Sequence, residues 1–306
     1  MKARKTADYL LLSLRGLAMG AADVVPGVSG GTIAFISGIY EELLGTISGI
    51  KPSLLKVLRT EGFKAFWKAG NFSFLLAIGV GVITAIASLA HLISWLLENE
   101  PIKLWAFFFG LVLASVFFIG RQVNAWNAKS IVSFIAGAAI AWYITSLPPM
   151  GQSDSMLFLF FSGMIGICAM ILPGISGSFI LLILGSYTAV ITAVKEFDIP
   201  KMGVFGAGCV VGILSFSHLL NWMYKKHHDL TVALLTGFLL GSLQKLWPWQ
   251  QKAELLYTHS DGKEDWLMSN VMPGAFEGEA QIGAVAVCFI IGFAIIFIME
   301  RIATKK

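Results

Sequence analysis

The sequence predicts an all-α, polytopic membrane protein: an inverted five-segment repeat with two re-entrant hairpins broken at Pro-Gly. Three observations carry this. First, hydrophobic residues make up 57% of the 306 residues and charged residues 13%, against about 25% charged in an average soluble domain. With a mean hydropathy of +0.78, there is too little charge to solvate a globular surface. Second, ten apolar segments approach the length that spans a bilayer as a helix. Third, Pro-Gly-x-Ser-Gly occurs twice, at 26–30 and at 173–177. The composition excludes a cytosolic enzyme, a nucleic-acid binder and a secreted disulfide scaffold. The net charge of +4 does not imply a nucleic-acid partner, because in a membrane protein the distribution of charge among loops is what matters. Cys168, Cys209 and Cys288 all lie in apolar runs. They are expected to be free thiols, with no disulfide, metal site or cofactor. The basic start leads into an apolar run containing Arg15 and Asp23, not into a small-residue cleavage site, so no cleavable signal peptide is expected.

In chain order the segments run approximately 8–25, 28–48, 73–97, 102–120, 130–147, 156–172, 175–194, 203–223, 230–246 and 282–300. Pro26-Gly27 joins the first two and Pro173-Gly174 joins the sixth and seventh. Neither joint has a polar loop, so each pair reads as a hairpin whose tip stays at membrane depth, allowed where protein or a wet cavity surrounds the irregular backbone. The count is six crossings plus two hairpins, or ten spans. With both termini in the cytoplasm, fifteen of the 22 Lys and Arg fall on the cytoplasmic side, six fall opposite, and Arg15 lies within a segment. That bias fixes the orientation.

The chain reads as one transmembrane domain, with repeat 1 at about 8–147 and repeat 2 at about 156–300. A shift of 147 lays the first Pro-Gly motif on the second, and Gly16, Gly38 and Tyr40 on Gly163, Gly185 and Tyr187. A shift of 127 lays Gly79, Gly81, Ser88, His91 and Trp95 on Gly206, Gly208, Ser215, His218 and Trp222, and Gly110 and Ser115 on Gly237 and Ser242. A shift of 155 lays Phe134 and Gly137 on Phe289 and Gly292. Two insertions interrupt the order: a basic amphipathic stretch at 50–70 and an acidic, aromatic loop at 247–281. Each repeat crosses an odd number of times, so the second enters from the opposite face, a layout that places a site near the midplane between the repeats. The alternative is an old duplication kept for packing.

Gly27, Ser29, Gly30, Gly31 and Thr32, and then Gly174, Ser176, Gly177 and Ser178, open two apolar helices. The first N–H groups of a helix lack internal partners and favour negative charge. Glycine lets an anion approach the backbone, and the hydroxyls add donors. These residues are the candidate site for a phosphate or carboxylate; the alternative is a pair of serine-capped helix starts. Arg15 and Asp23 are charges within a segment, which are costly and usually functional. They stand about 12 Å apart along a helix, and their counterparts at the 147 shift are Ser162 and Met170. Arg15 is read as the only fixed positive charge near the site, or else as snorkelling to the interface; Asp23 as a site residue or a cap of the turn. Asp23, Glu41, His91 and His218 are candidates for ion coupling. For Glu41 and the two histidines the alternative is interfacial solvation. The paired small residues, Gly79, Gly81 and Ser88 with their mates, are expected to let helices pack closely.

Gly-Ala-Ala-Asp-Val-Val-Pro-Gly-Val-Ser-Gly-Gly-Thr at 20–32, with the second Pro-Gly-Ile-Ser-Gly, resembles the prokaryotic polyprenyl-phosphate transporter family over essentially the whole chain. The resemblance implies a flippase of the cytoplasmic (inner) membrane. It would return undecaprenyl phosphate from the outer to the cytoplasmic leaflet, for reuse as the carrier lipid of cell-wall polymers. The motif is more distantly similar to that of undecaprenyl-pyrophosphate phosphatase, an enzyme carrying Pro-Gly-x-Ser-Arg-Ser. Here Gly30 and Gly177 stand where its arginine would be, and no acidic pair is evident upstream. The expectation is therefore a transporter and not an enzyme. Its partners would be a polyprenyl-phosphate lipid and membrane lipids, with no nucleic acid. A lipid pyrophosphatase and a transporter of small soluble anions remain the alternatives.

Overall fold

The computed structural model describes residues 4–25, 28–151, 153, 155–258 and 264–304. Pro26 and Gly27, the first predicted break, lie outside the described residues. The break separates α1 (Thr6–Asp23) from α2 (Gly30–Ile36), and Pro173-Gly174 separates α8 (Met156–Ile171) from α9 (Gly177–Ile183). Gly174 has φ +89°, a conformation that a residue with a Cβ adopts only under strain.

The segments expected over 28–48 and 175–194 are not continuous. Each breaks again, at 37–39 and 184–186, into α3 (Tyr40–Ser48) and α10 (Tyr187–Lys195). Gly38 and Gly185 both have φ +72° and end the short helices. The bend between α9 and α10 is 111°. The remaining helices are α4 (Ser53–Ala69), α5 (Phe72–Asn99), α6 (Pro101–Gly120), α7 (Ala128–Ser146), α11 (Ile199–Lys226), α12 (His228–Ser242) and α13 (Ile282–Thr304). Among the described helices α5, α6, α7 and α11 are long and apolar enough to cross a membrane, and the bent α9–α10 pair qualifies jointly. Ile83, Val132, Leu157 and Ile290 leave large apolar surfaces exposed, as a lipid solvent requires.

The two insertions are ordered elements. α4 buries only Leu54 and exposes Lys56, Arg59, Lys64 and Lys68. The loop at 247–281 departs from the all-α expectation. It contains an antiparallel hairpin, β1 (Gln250–Thr258) and β2 (Glu264–Asn270). Two tryptophans fasten its base: the Trp247 indole N–H donates to the Val271 carbonyl at 2.8 Å and that of Trp249 to the Ala280 carbonyl at 2.9 Å.

Four helix pairs build the body: α1 with α5, α8 with α11, α6 with α13, and α7 with α12. Lipid chains are as apolar as side chains, so helices associate through close packing at small residues. A Cβ on Gly16 would overlap the Ile78 carbonyl, and one on Gly81 the Ser13 carbonyl. The same contacts recur as Gly163 on Phe205 and Gly208 on Phe160. Gly110 meets Phe289 and Gly292 meets Phe107, while Gly237 meets Phe134 and Gly137 meets Leu234. Every partner is related to its counterpart by the 147, 127 or 155 offset. Gly79 and Gly206 differ from this expectation, since a Cβ on either meets nothing.

Helix packing thus distinguishes neighbouring glycines. Gly81→Leu or Gly208→Leu drives a side chain into a facing backbone, and the strain should lower stability by about 1–3 kcal/mol or more. Thermal melts in detergent should show the loss, while Gly79→Ala and Gly206→Ala melt like the parent. A Gly208→Leu protein melting with the parent would reject this account.

Candidate functional site

The two broken helices meet end to end. Ser29 takes the N-cap position of α2 with extended backbone, and its Oγ accepts the Gly31 N–H at 3.1 Å. The same hydroxyl donates across to the second hairpin, shared between the carbonyls of Met170 (3.2 Å) and Leu172 (3.3 Å). In return the Gly174 N–H donates to Thr32 Oγ1 at 3.0 Å. The Tyr40 hydroxyl, from the start of α3, donates to the Ile171 carbonyl at 3.0 Å. Ser29 and Thr32 are fully buried. A Cβ on Gly31 would stand 2.8–2.9 Å from the carbonyls of Ile171 and Met170, so glycine is what allows the approach.

Asp23, the last residue of α1, turns back onto the start of α2. The Gly30 N–H donates to its Oδ1 at 2.6 Å, and a Cβ on Gly30 would overlap the carboxylate. A carboxylate therefore already stands at the position where the sequence suggested an anion. At the second tip, Ser176 N-caps α9 through its backbone and makes no side-chain cap. Its hydroxyl pairs with that of Ser178 at 2.7 Å. Gly177 lies under the Met170 side chain. Gly174 packs against Leu239 and the Ser242 hydroxyl at the end of α12.

The structure therefore brings together Asp23, Ser29, Gly30, Gly31 and Thr32 with Gly174, Ser176, Gly177 and Ser178. Gly27 lies outside the described residues. Arg15 stands apart, half-buried on α1 and in electrostatic reach of Arg4 and Glu42. Arg4 pairs with Glu42, which also accepts from Asn71 Nδ2 at 3.0 Å. Glu41, His91 and His218 are exposed and enter none of the tip hydrogen bonds. His218 Nδ1 contacts its own helix at the Leu214 carbonyl, 2.7 Å away. Among the described residues no group of three His, Cys, Asp or Glu side chains is arranged to hold a metal ion.

Two residues at or beside the tips are not marked by the sequence pattern. Tyr40 was visible only as a repeat mate of Tyr187, and nothing in the pattern marks it as a tip-to-tip donor. Lys245 is one of the six cations opposite the cytoplasmic side in the charge count, yet its Nζ lies 4.7 Å from the ring of Phe179, the residue after Ser178. Lys245, and not Arg15, is thus the cation that the structure places beside the second tip among the described residues. Only the three-dimensional path of the chain after α12 shows this.

The geometry can be set beside known proteins. Residues 19–264 match a family described as undecaprenyl phosphate translocase-like. The chain is 49% identical over 275 residues to a polyprenyl-phosphate transporter of Vibrio cholerae serotype O1, covering 90% of this chain and 89% of that one. It is 35% identical over 253 residues to a polyprenyl-phosphate transporter of Staphylococcus aureus, covering 77% and 85%. No solved structure matches the chain significantly. A family match over residues 19–264, which include both tips, with relatives aligned over most of this chain and of their own, leads to one conclusion: the chain belongs to the undecaprenyl phosphate translocase-like family.

Proposed function

We propose that this protein is a transporter, not an enzyme, that returns polyprenyl phosphate, undecaprenyl phosphate in particular, from the outer to the cytoplasmic leaflet of a prokaryotic cytoplasmic membrane. The observation that most supports this reading is the direct contact of the two tips through Ser29, Thr32 and Gly174. The two relatives, both polyprenyl-phosphate transporters, supply the substrate class.

Unaided passage of a phosphate through hydrocarbon is prohibitive, because the charge loses its hydration without replacement. In this reading the tips are re-entrant hairpins of two inverted repeats and supply that replacement near the midplane. As the chain stands, Ser29 and Thr32 bind the opposite tip, and Asp23 holds the Gly30 N–H. A phosphate oxygen arriving at Gly30 takes the place of the Asp23 carboxylate. Donors turned toward the headgroup leave the opposite hairpin, so binding uncouples the two tips, and alternating exposure requires that uncoupling. The isoprenoid tail stays in the lipid. Arg15, which stands apart from the tips on α1, joins the headgroup only after the tips separate, from the cytoplasmic side. Of the four ion-coupling candidates only Asp23 stands at the tips, so coupling in this reading runs through its contact with Gly30.

Two experiments test the proposal. Ser29→Ala and Ser176→Ala should each weaken headgroup binding by about 1–3 kcal/mol, the range for a hydrogen bond to a charged group. Arg15→Ala should cost at least as much, and Arg15→Lys should fail too if the contact is bidentate. Polyprenyl-phosphate binding and leaflet exchange in liposomes, with thermal melts as a folding control, read these effects. Folded variants that all behave like the parent would overturn the cradle. The orientation predicts that a cysteine replacing Thr60 is labelled by an impermeant maleimide only in broken cells; labelling in intact cells reverses the topology.

A further inference from the structure

A cavity of about 420 Å³ with a mixed lining lies beside α9 and away from the tip hydrogen bonds. One wall is α9, through Phe179 and Ile183; another is the end of α7, at Ser146. Lys245, in the short 3-10 turn that follows α12, forms a third, and β2 closes the remaining side with Trp266 and Ser269. The Lys245 ammonium lies over the Phe179 ring, and no carboxylate is within salt-bridge distance among the described residues. Among the described residues this partly buried ammonium faces a ring and a cavity, and a cation–π contact replaces little of its hydration. The neighbouring amides do not compete for an incoming anion. Gln244 Nε2 is committed to the Trp142 carbonyl, Thr145 and Ser146, and Asn270 Nδ2 to the Gln244 carbonyl. The cavity is therefore cationic at one point and aromatic and aliphatic beside it, which suits a phosphomonoester joined to a hydrocarbon chain.

Its position adds a direction. α9 begins at Ser176, and Ser242, three residues before Lys245, touches Gly174. The cavity thus runs from the β-hairpin along α9 toward the second tip. We propose that it is an outer-side receiving site, in which Lys245 pairs with the phosphate of a polyprenyl phosphate before the headgroup reaches the tips. The inference rests on the transport reading above. It assigns to the β-hairpin the role of a wall that holds the headgroup against Lys245.

The test uses the full chain in liposomes, with polyprenyl phosphate supplied to the outer leaflet. Lys245→Gln should raise the lipid concentration for half-maximal exchange by about tenfold, the effect of losing one charge-assisted contact. Lys245→Arg should restore it to near the parent value. Inorganic phosphate should compete only weakly if the lipid is the ligand; equal competition would assign the cavity to free phosphate and overturn the lipid assignment. As a check independent of Lys245 substitution, maleimide modification of Ser269→Cys, read by peptide mass, should slow when polyprenyl phosphate is added. A parent that exchanges the lipid, together with a Lys245→Gln protein of unchanged concentration dependence or an unprotected position 269, overturns the receiving site and leaves the transport reading standing. A parent that exchanges no polyprenyl phosphate overturns both.

Discussion

The structure depends on one constraint: a helix broken away from water must find partners for the backbone groups that the break releases. Here the two breaks solve it for each other. The Gly174 N–H goes to Thr32, the carbonyls of Met170 and Leu172 receive Ser29, and the Ile171 carbonyl receives Tyr40. Gly31 is small enough to let those carbonyls approach. The helix pairs around the tips serve this contact. Their glycines draw α1 onto α5 and α8 onto α11, and so hold two short helices in register with one another.

A cost follows from this solution. Groups that satisfy each other across an interface in a nonpolar medium cannot also bind a ligand without separating. On the transport reading that cost is the mechanism, because a ligand able to replace the tip-to-tip bonds is the one that opens the tips. A neutral molecule would leave the freed N–H groups poorly compensated, whereas a phosphate brings several strong acceptors at once. Selectivity for phosphate then originates in the same broken helices that make the fold difficult to close.

Much of this was legible in the chain. The Pro-Gly pairs carry no polar loop, which marks both breaks, and the repeat offsets link Gly16, Gly81, Gly110 and Gly137 to glycines whose contacts in the structure follow the same offsets. Other features were hidden for physical reasons. The breaks at Gly38 and Gly185 have a single serine each beside them, Ser37 and Ser186, within longer apolar runs, so hydropathy runs through them although the backbone does not. The β-hairpin is a two-stranded element fastened by Trp247 and Trp249 to distant carbonyls, and its strands have bulges that blur a period of two. The separation of Gly79 from Gly81 depends on which face of α5 meets α1. Lys245 looked like a surface charge because its distance from Phe179 is set by the path of α12.

The two tips are alike in backbone and unlike in charge, and the difference suggests an order of events. Asp23 and Met170 are counterparts at the 147 offset, and each covers the glycine that opens the following helix, Gly30 or Gly177. The position is the same, but one occupant is a carboxylate and the other a thioether. The first hairpin therefore carries its own anion, while the Ser176 and Ser178 hydroxyls on the second bond to each other. A phosphate approaching the first tip must displace Asp23 against charge repulsion; one approaching the second meets a soft side chain and two hydroxyls. Lys245 stands beside the second tip, and Arg15 belongs to the helix leading to the first. On the transport reading the headgroup engages the second hairpin from the outer side, then displaces Asp23 to reach the first. On that reading the order of engagement follows from the placement of one carboxylate and two cations on two similarly built tips.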